Sequence, residues 1–170
     1  MTKPARQLIS EALNEAANPV ARRWWQNLLA AANALYTMLY TFHWKSKGAN
    51  YYSDHELYSR IYESVEEDID SIAEKAIGTT NDDSFIDAAT WLARSSEALG
   101  RMTNRTDPGN DPDLFPQAAL DGFEFYLRII DQMKDEFEMN GLLTNGIDDF
   151  LQALCNKHEG NVYLLQQRNQ

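Results

Sequence analysis

Apolar residues recur at helical spacing along most of the chain, and no strand-like alternation of useful length interrupts them. The first long segment opens at Asn18-Pro19, a capping side chain followed by a proline suited to a first helical turn, and runs to Lys47 before Gly48. From Trp24 to Trp44 it holds 21 residues without Asp, Glu, Lys or Arg, close to the length of a bilayer crossing. Gln26, Asn33, Thr37 and Thr41 nonetheless draw a polar stripe down one side, with Leu28, Leu35, Met38, Leu39 and Phe42 on the rest. The pattern predicts a buried amphipathic helix with neighbours on more than one side, in its own bundle or in another subunit. A second helix is predicted from Ser53 or Asp54, where Ser53 and Glu56 have capping-box spacing, through Leu57, Ile61, Val65, Ile69, Ile72 and Ala76 to Gly78. Thr79 to Asp83 reads as a turn, Phe85 to Leu99 as a short helix carrying Trp91, and the run RTDPGNDPD as a turn cluster. Phe115, Ala119, Phe123, Tyr126, Ile130, Met133 and Phe137 mark a third long helix, from Asp113 or Leu114 to about Asn140-Gly141. Ile147, Leu151, Leu154, His158, Val162 and Leu165 mark a fourth, from about Asn145.

Two long helices, a crossover of about thirty residues with a short helix inside it, and two more long helices predict an all-α four-helix bundle of ferritin-like connectivity. The 170 residues make one domain, 1–170, with a short N-terminal extension over 1–18, and are enough to bury a core without disulfides. The single Cys155 excludes an intrachain disulfide, and the opening MTKPARQLISEALNEAANPV lacks the apolar core of a signal peptide, so a cytoplasmic protein with no membrane span is expected. A net charge of −11 repels phosphate backbones and attracts cations, which argues against direct DNA binding.

The chain has three histidines, and two of them flank the first interhelical loop: His43 beside Trp44, and His55 at the start of the second helix. Downstream lies an acidic run, Glu63, Glu66, Glu67, Asp68, Asp70 and Glu74, in which Asp70 and Glu74 share a helix face. Imidazole with paired carboxylates suits Fe(II) and, less selectively, Zn(II) or Mn(II). His55 and Asp70 are 15 residues apart, about 22 Å along a continuous helix, too far to bind one metal within one subunit. If His43, His55, Asp70 and Glu74 form one site, two copies of the hairpin pack antiparallel about a two-fold, each supplying histidines to the other's carboxylates. A di-iron centre inside the bundle needs Glu-x-x-His pairs, and the residues three before the histidines are Tyr40, Tyr52 and Cys155.

His43-Trp44 through Gly48 to Asn50, His55-Glu56 twelve residues after the first histidine, and Asp70-Ser-Ile-Ala-Glu74 together resemble the signature of the Dps mini-ferritins. The resemblance covers roughly residues 20 to 167 and is specific within 43 to 74, with a weaker match at His158-Glu159 and Tyr163-Leu164-Leu165, where many relatives carry Trp for Tyr163. It implies a homo-oligomer, a dodecameric shell, that oxidises Fe(II) with hydrogen peroxide or dioxygen and stores ferric mineral against oxidative stress. It also implies a ferroxidase site at a two-fold interface, with His43 and His55 from one chain and Asp70 and Glu74 from its partner as iron ligands. Iron is the metal implied, and no organic cofactor is expected. The resemblance further lets Trp44 accept an oxidising equivalent near the iron and Asp149 line an acidic three-fold pore, with Glu136 and Glu138 near enough to contribute.

Departures from the pattern matter as well. Ser59 stands where many relatives have Asp four residues after the second histidine, and Glu63 or Glu66 is then a candidate replacement. Gly146 falls where relatives often place a pore acid, and the termini offer only Lys3, Arg6 and Arg168 where DNA-binding relatives often carry a basic tail. Twelve copies would carry about −132, a shell that repels DNA at ordinary salt. Against the chemistry stand plainer readings: Glu63, Glu66, Glu67 and Asp68 as a solvated face or cavity lining, and Trp44, Tyr51, Tyr52 and Tyr62 as core or interface. Asp148 and Asp149 then act as partners of a helix dipole, and His158 and Cys155 as structural residues. The competing functional reading is a non-catalytic acidic shell, or a Zn- or Mn-binding protein on the same fold.

Overall fold

A computed structural model describes residues 18–170; the expected N-terminal extension, with Lys3 and Arg6, lies outside the described residues apart from Asn18. Among the described residues every regular element is helical. Five α-helices, α1 (Pro19–Lys45), α2 (Tyr51–Thr80), α3 (Ala88–Met102), α4 (Phe115–Met139) and α5 (Asn145–Arg168), follow in order, with a 3-10 turn at Pro112–Leu114 leading into α4.

The local chemistry explains most boundaries. The Asn18 side chain accepts from the Val20 N–H with Pro19 in the first turn, as the sequence predicts. α1 stops two residues before the predicted Lys47, because the Ser46 hydroxyl bonds back to the Phe42 carbonyl, 2.8 Å, as the chain turns extended. α2 starts earlier than predicted: Asn50 is its N-cap residue, and the Ser53 hydroxyl donates to the Asn50 carbonyl instead of capping with Glu56. Its other end runs past Gly78 to Thr80, where Asn81 takes the left-handed conformation, φ 50°, that closes a helix. α3 is displaced toward the C-terminus relative to Phe85–Leu99, because the Asp87 carboxylate caps Thr90 while Phe85 is buried as an anchor before the helix. α4 ends at Met139 ahead of Gly141, φ +69°, and Thr144 caps α5 through the Ile147 N–H.

The four long helices close a ring. α1 packs on α2 and on α4, α4 packs on α5, and side chains join α5 to α2. Asp54 meets Arg168, Ser64 meets Asn161 and Asp68 meets His158, so α2 and α5 run antiparallel. Phe42 stacks on Phe115 while Trp25 meets Phe137 edge-on, so α1 and α4 do too. With short loops making the remaining neighbours antiparallel, α2 and α4 point the same way, and the connection carrying α3 must travel the length of the bundle. α3 packs on α1 and, less extensively, on α4. The near-absence of charge along α1 is thus met inside the chain: three helices cover it, and Leu28, Ala32, Leu35 and Leu39 are wholly buried. α1 and α4 approach closely at Gly122, where a Cβ would collide with Met38 Cε and lie 3.1 Å from Leu35 Cδ1. No helix of the described residues is long and apolar enough to cross a membrane.

Candidate functional site

The loop between α1 and α2 brings His43 and His55 together. Their rings stack at 3.8 Å between centroids, inclined by 24°, and both are half-buried. Each Nδ1 faces the other residue's backbone carbonyl, His43 Nδ1 to His55 O at 3.0 Å and His55 Nδ1 to His43 O at 3.1 Å. A carbonyl only accepts, so in both neutral rings the proton sits on Nδ1 and the lone pair on Nε2, the state a metal ligand requires. The His43 carbonyl lies in the last turn of α1, where helix carbonyls lack intrahelical partners, and the second imidazole supplies one. Neither Nε2 has a hydrogen-bond partner among the described residues.

Asp70 and Glu74 do not join this pair within the chain. α2 is one helix from Tyr51 to Thr80, so Asp70 stands about 22 Å along it from His55. Both carboxylates are exposed one turn apart and take part in no hydrogen bond or ion pair among the described residues. No group of three or more His, Cys, Asp or Glu side chains among the described residues could hold a metal ion. The chain therefore offers two half-sets far apart: two imidazoles, from the end of α1 and the start of α2, and two carboxylates further along α2.

Ser59 lies one turn beyond His55, and its hydroxyl donates to Glu63 Oε1 at 3.2 Å, so the next carboxylate on that side of α2 is held by the serine. Trp44 is 64% exposed and lies 4.1 Å, centroid to centroid, from Tyr40. Tyr40 in turn touches Tyr62 and Tyr36, an aromatic cluster beside the histidines in which Tyr36 was not singled out from the sequence and Tyr40 only as the residue three before His43. Its signal was there: Tyr36, Tyr40 and Trp44 fall four apart on one face of α1.

Two acidic residues of α2 are buried: Asp68, expected on a solvated face or cavity lining, and Asp54, expected as a cap of the helix. Asp68 is buried, receiving a bond from the Lys157 ammonium at 2.8 Å and a short contact from His158 Nε2. His158 is fully enclosed, and its Nδ1 lies 3.0 Å from the Asn161 amide, which also donates to Ser64 Oγ. With Nε2–H on Asp68 and the Asn161 N–H on Nδ1, every group is satisfied by a neutral imidazole. Burial and then the nearby Asp68 charge push the Tyr126 hydroxyl, whose ring meets His158 edge-on, well above its ordinary pKa. Asp54, at the start of α2, is buried too, and Arg168 grips it with two bonds of 2.6 and 2.9 Å. Arg168, the one basic residue expected near the C-terminus, is spent on this fork.

At the start of α5, Asp149 is exposed, whereas Asp148 pairs with Lys134 at 2.7 Å, and that ammonium holds its carboxyl below the usual range. Glu136 pairs with Arg23 at 3.4 Å, and Glu138 is exposed. Cys155 is half-buried, and burial raises its thiol. Comparison with family models and with curated proteins finds no match to this chain.

Proposed function

We propose that the chain is a ferritin-like, Dps-type ferroxidase that takes up Fe(II), oxidises it and stores the ferric product. One observation carries this reading: two imidazoles with Nδ1 tied to backbone carbonyls offer paired Nε2 lone pairs, while the carboxylates that would complete an iron site sit far along the helix that carries His55, out of reach. Antiparallel pairing of two α1–α2 hairpins about a two-fold would bring Asp70 and Glu74 of one copy to His43 and His55 of the other, giving two sites per dimer. The antiparallel ring with its bundle-length crossover supports a ferritin-like arrangement, and the resemblance of residues 43 to 74 supports a dodecamer.

In this reading His43 and His55 donate nitrogen, Asp70 bridges or ligates, Glu74 completes the first iron position, and Ser59 with Glu63 stands beside the second. Two Fe(II) give one electron each to one peroxide, and with water the product is ferric oxide-hydroxide and protons. The protein contributes oriented ligands that favour the ferric product, and the acidic surface, Asp149 included, raises the local Fe(II) concentration.

A second reading, a non-oxidising shell or a Zn- or Mn-binding protein on the same ligands, rests on Ser59, which supplies a hydroxyl where the ferroxidase pattern has a carboxylate. Stopped-flow oxidation of Fe(II) by peroxide, with native mass determined for each protein, separates the two. Rapid oxidation by the wild type, with slow His43→Ala and Asp70→Ala proteins of unchanged mass, supports the ferroxidase. A wild-type rate equal to the protein-free rate refutes it.

A further inference from the structure

A cavity of about 190 Å³ that the iron reading leaves unused lies where α1, α3 and α4 meet. Ala30, Ala98, Phe125 and Ile129 give it apolar walls. Its charges come from one face of α3, where Arg94, Glu97 and Arg101 recur at helical spacing. Glu97 and Arg101 are exposed and satisfy each other at 2.6 Å. The half-buried Arg94 is left over: it makes no ion pair among the described residues, and its one hydrogen bond there goes to Asn27 Oδ1 at 3.1 Å. A guanidinium carries five N–H donors and an amide two, so at the cavity wall most donors of Arg94 and Asn27 lack an acceptor among the described residues. Arg94 also borders a second, smaller recess of about 10 Å³, about the space of one water oxygen. Trp91 lines that recess, and its indole N–H is buried without an acceptor among the described residues.

We propose that this cavity binds a small monocarboxylate with an apolar body, an aryl or short alkyl acid of about the size of benzoate. Arg94 receives the carboxylate through two parallel N–H···O bonds with the Asn27 amide beside it, and the apolar body lies against Ala30, Ala98, Phe125 and Ile129. Two guanidiniums and one carboxylate leave the cavity with a single net positive charge, which matches one carboxylate and disfavours a phosphate dianion brought beside Glu97. The volume falls below the about 300–1,000 Å³ of pockets for drug-sized ligands, so a nucleotide does not fit. A bound acid would tie the crossover helix to α1 and α4. The cavity shares no residue with the histidine pair or with Asp70 and Glu74, so it stands whether or not the chain oxidises iron.

Saturation-transfer NMR of benzoate with the full chain, set beside benzamide as its uncharged isostere, tests this. The expected result is saturable benzoate binding with a Kd of about 1 mM or tighter, and benzamide weaker by about tenfold or more. Arg94→Gln keeps a polar side chain toward Asn27 and should bring benzoate down to the benzamide level. Ala98→Leu fills the cavity and should abolish both signals; if it fails to fold, the benzoate–benzamide contrast and Arg94→Gln decide alone. Inorganic phosphate should not displace benzoate. Displacement by phosphate, equal binding of benzoate and benzamide, or wild-type affinity in Arg94→Gln overturns the proposal. So does the absence of any saturable signal, the result expected if a carboxylate of the chain itself or of a second copy fills the cavity.

Discussion

Asp68 and Asp70 stand two residues apart on α2, and they should fail in opposite ways when neutralised. Asp68→Asn keeps the volume but replaces an acceptor oxygen with an N–H2 group that must face either the His158 Nε2–H or the Lys157 ammonium. One buried donor loses its partner and meets another donor. Breaking a buried charged pair from one side costs about 3–5 kcal/mol. The lower figure applies here, because Lys157 is about one-third exposed and keeps its 2.7 Å bond to the Ser64 carbonyl. A loss of about 3 kcal/mol corresponds to a fall in Tm of roughly 6–12 °C for a domain of this size. Asp70→Asn touches only an exposed carboxylate without an ion pair among the described residues and should stay within about 0.5 kcal/mol. Urea unfolding of both variants at one protein concentration measures the difference, and Fe(II) oxidation supplies the reverse ranking: Asp70→Asn slow, the folded fraction of Asp68→Asn near wild type. A double-mutant cycle of Asp68→Asn with His158→Ala should give a coupling above about 1 kcal/mol. Equal stability of the two single variants, or a coupling near zero, would refute the claim that Asp68 is an internal structural anion.

Two further outcomes follow from the helix ends. Arg168→Ala leaves the buried Asp54 carboxylate without its fork and should cost about 2 kcal/mol, with the urea midpoint lowered and the m-value unchanged. At α3, hydrogen bonds from Thr90, chiefly its backbone N–H, hold the Asp87 carboxyl below its ordinary pKa. A depressed pKa stabilises the fold fully above the unfolded value, about 3.9, and the contribution disappears as pH falls through the lower folded value. Protection of the Thr90 amide from exchange, relative to its intrinsic rate at each pH, should therefore fall below about pH 4 in the wild type, and Asp87→Ala should show the low protection on both sides of it.

How much of this was legible beforehand depended on whether a residue's role is local. Asn18-Pro19, Thr144 and the apolar stripes announce their helices because caps and periodicity act within one or two turns. Ser53 and Glu56 matched a capping box that the chain does not use, since α2 had already begun under Asn50; spacing alone cannot tell a cap from a residue in the first turn. The fates of Asp68 and Asp54 depended on α5, ninety and more residues away. Asp68 did leave a trace: with Ile61, Val65 and Ile72 it falls on the buried register of α2, where a carboxylate needs a partner. The histidine spacing suggested proximity, but the crossed carbonyl bonds that fix the tautomer appear only when the loop is folded.

That crossed pair also sets when each part of the proposed site comes into being. His43 and His55 are twelve residues apart, and their crossed bonds involve no group of α4 or α5. In the proposed two-fold dimer the carboxylates would reach an imidazole only when a second chain arrives. Half of the site would then be a product of folding and half a product of association, and its affinity for iron would become a function of protomer concentration. A dilute, newly made chain would present two nitrogens and hold the ion weakly, and oxidation would wait until the partner that also builds the container is in place.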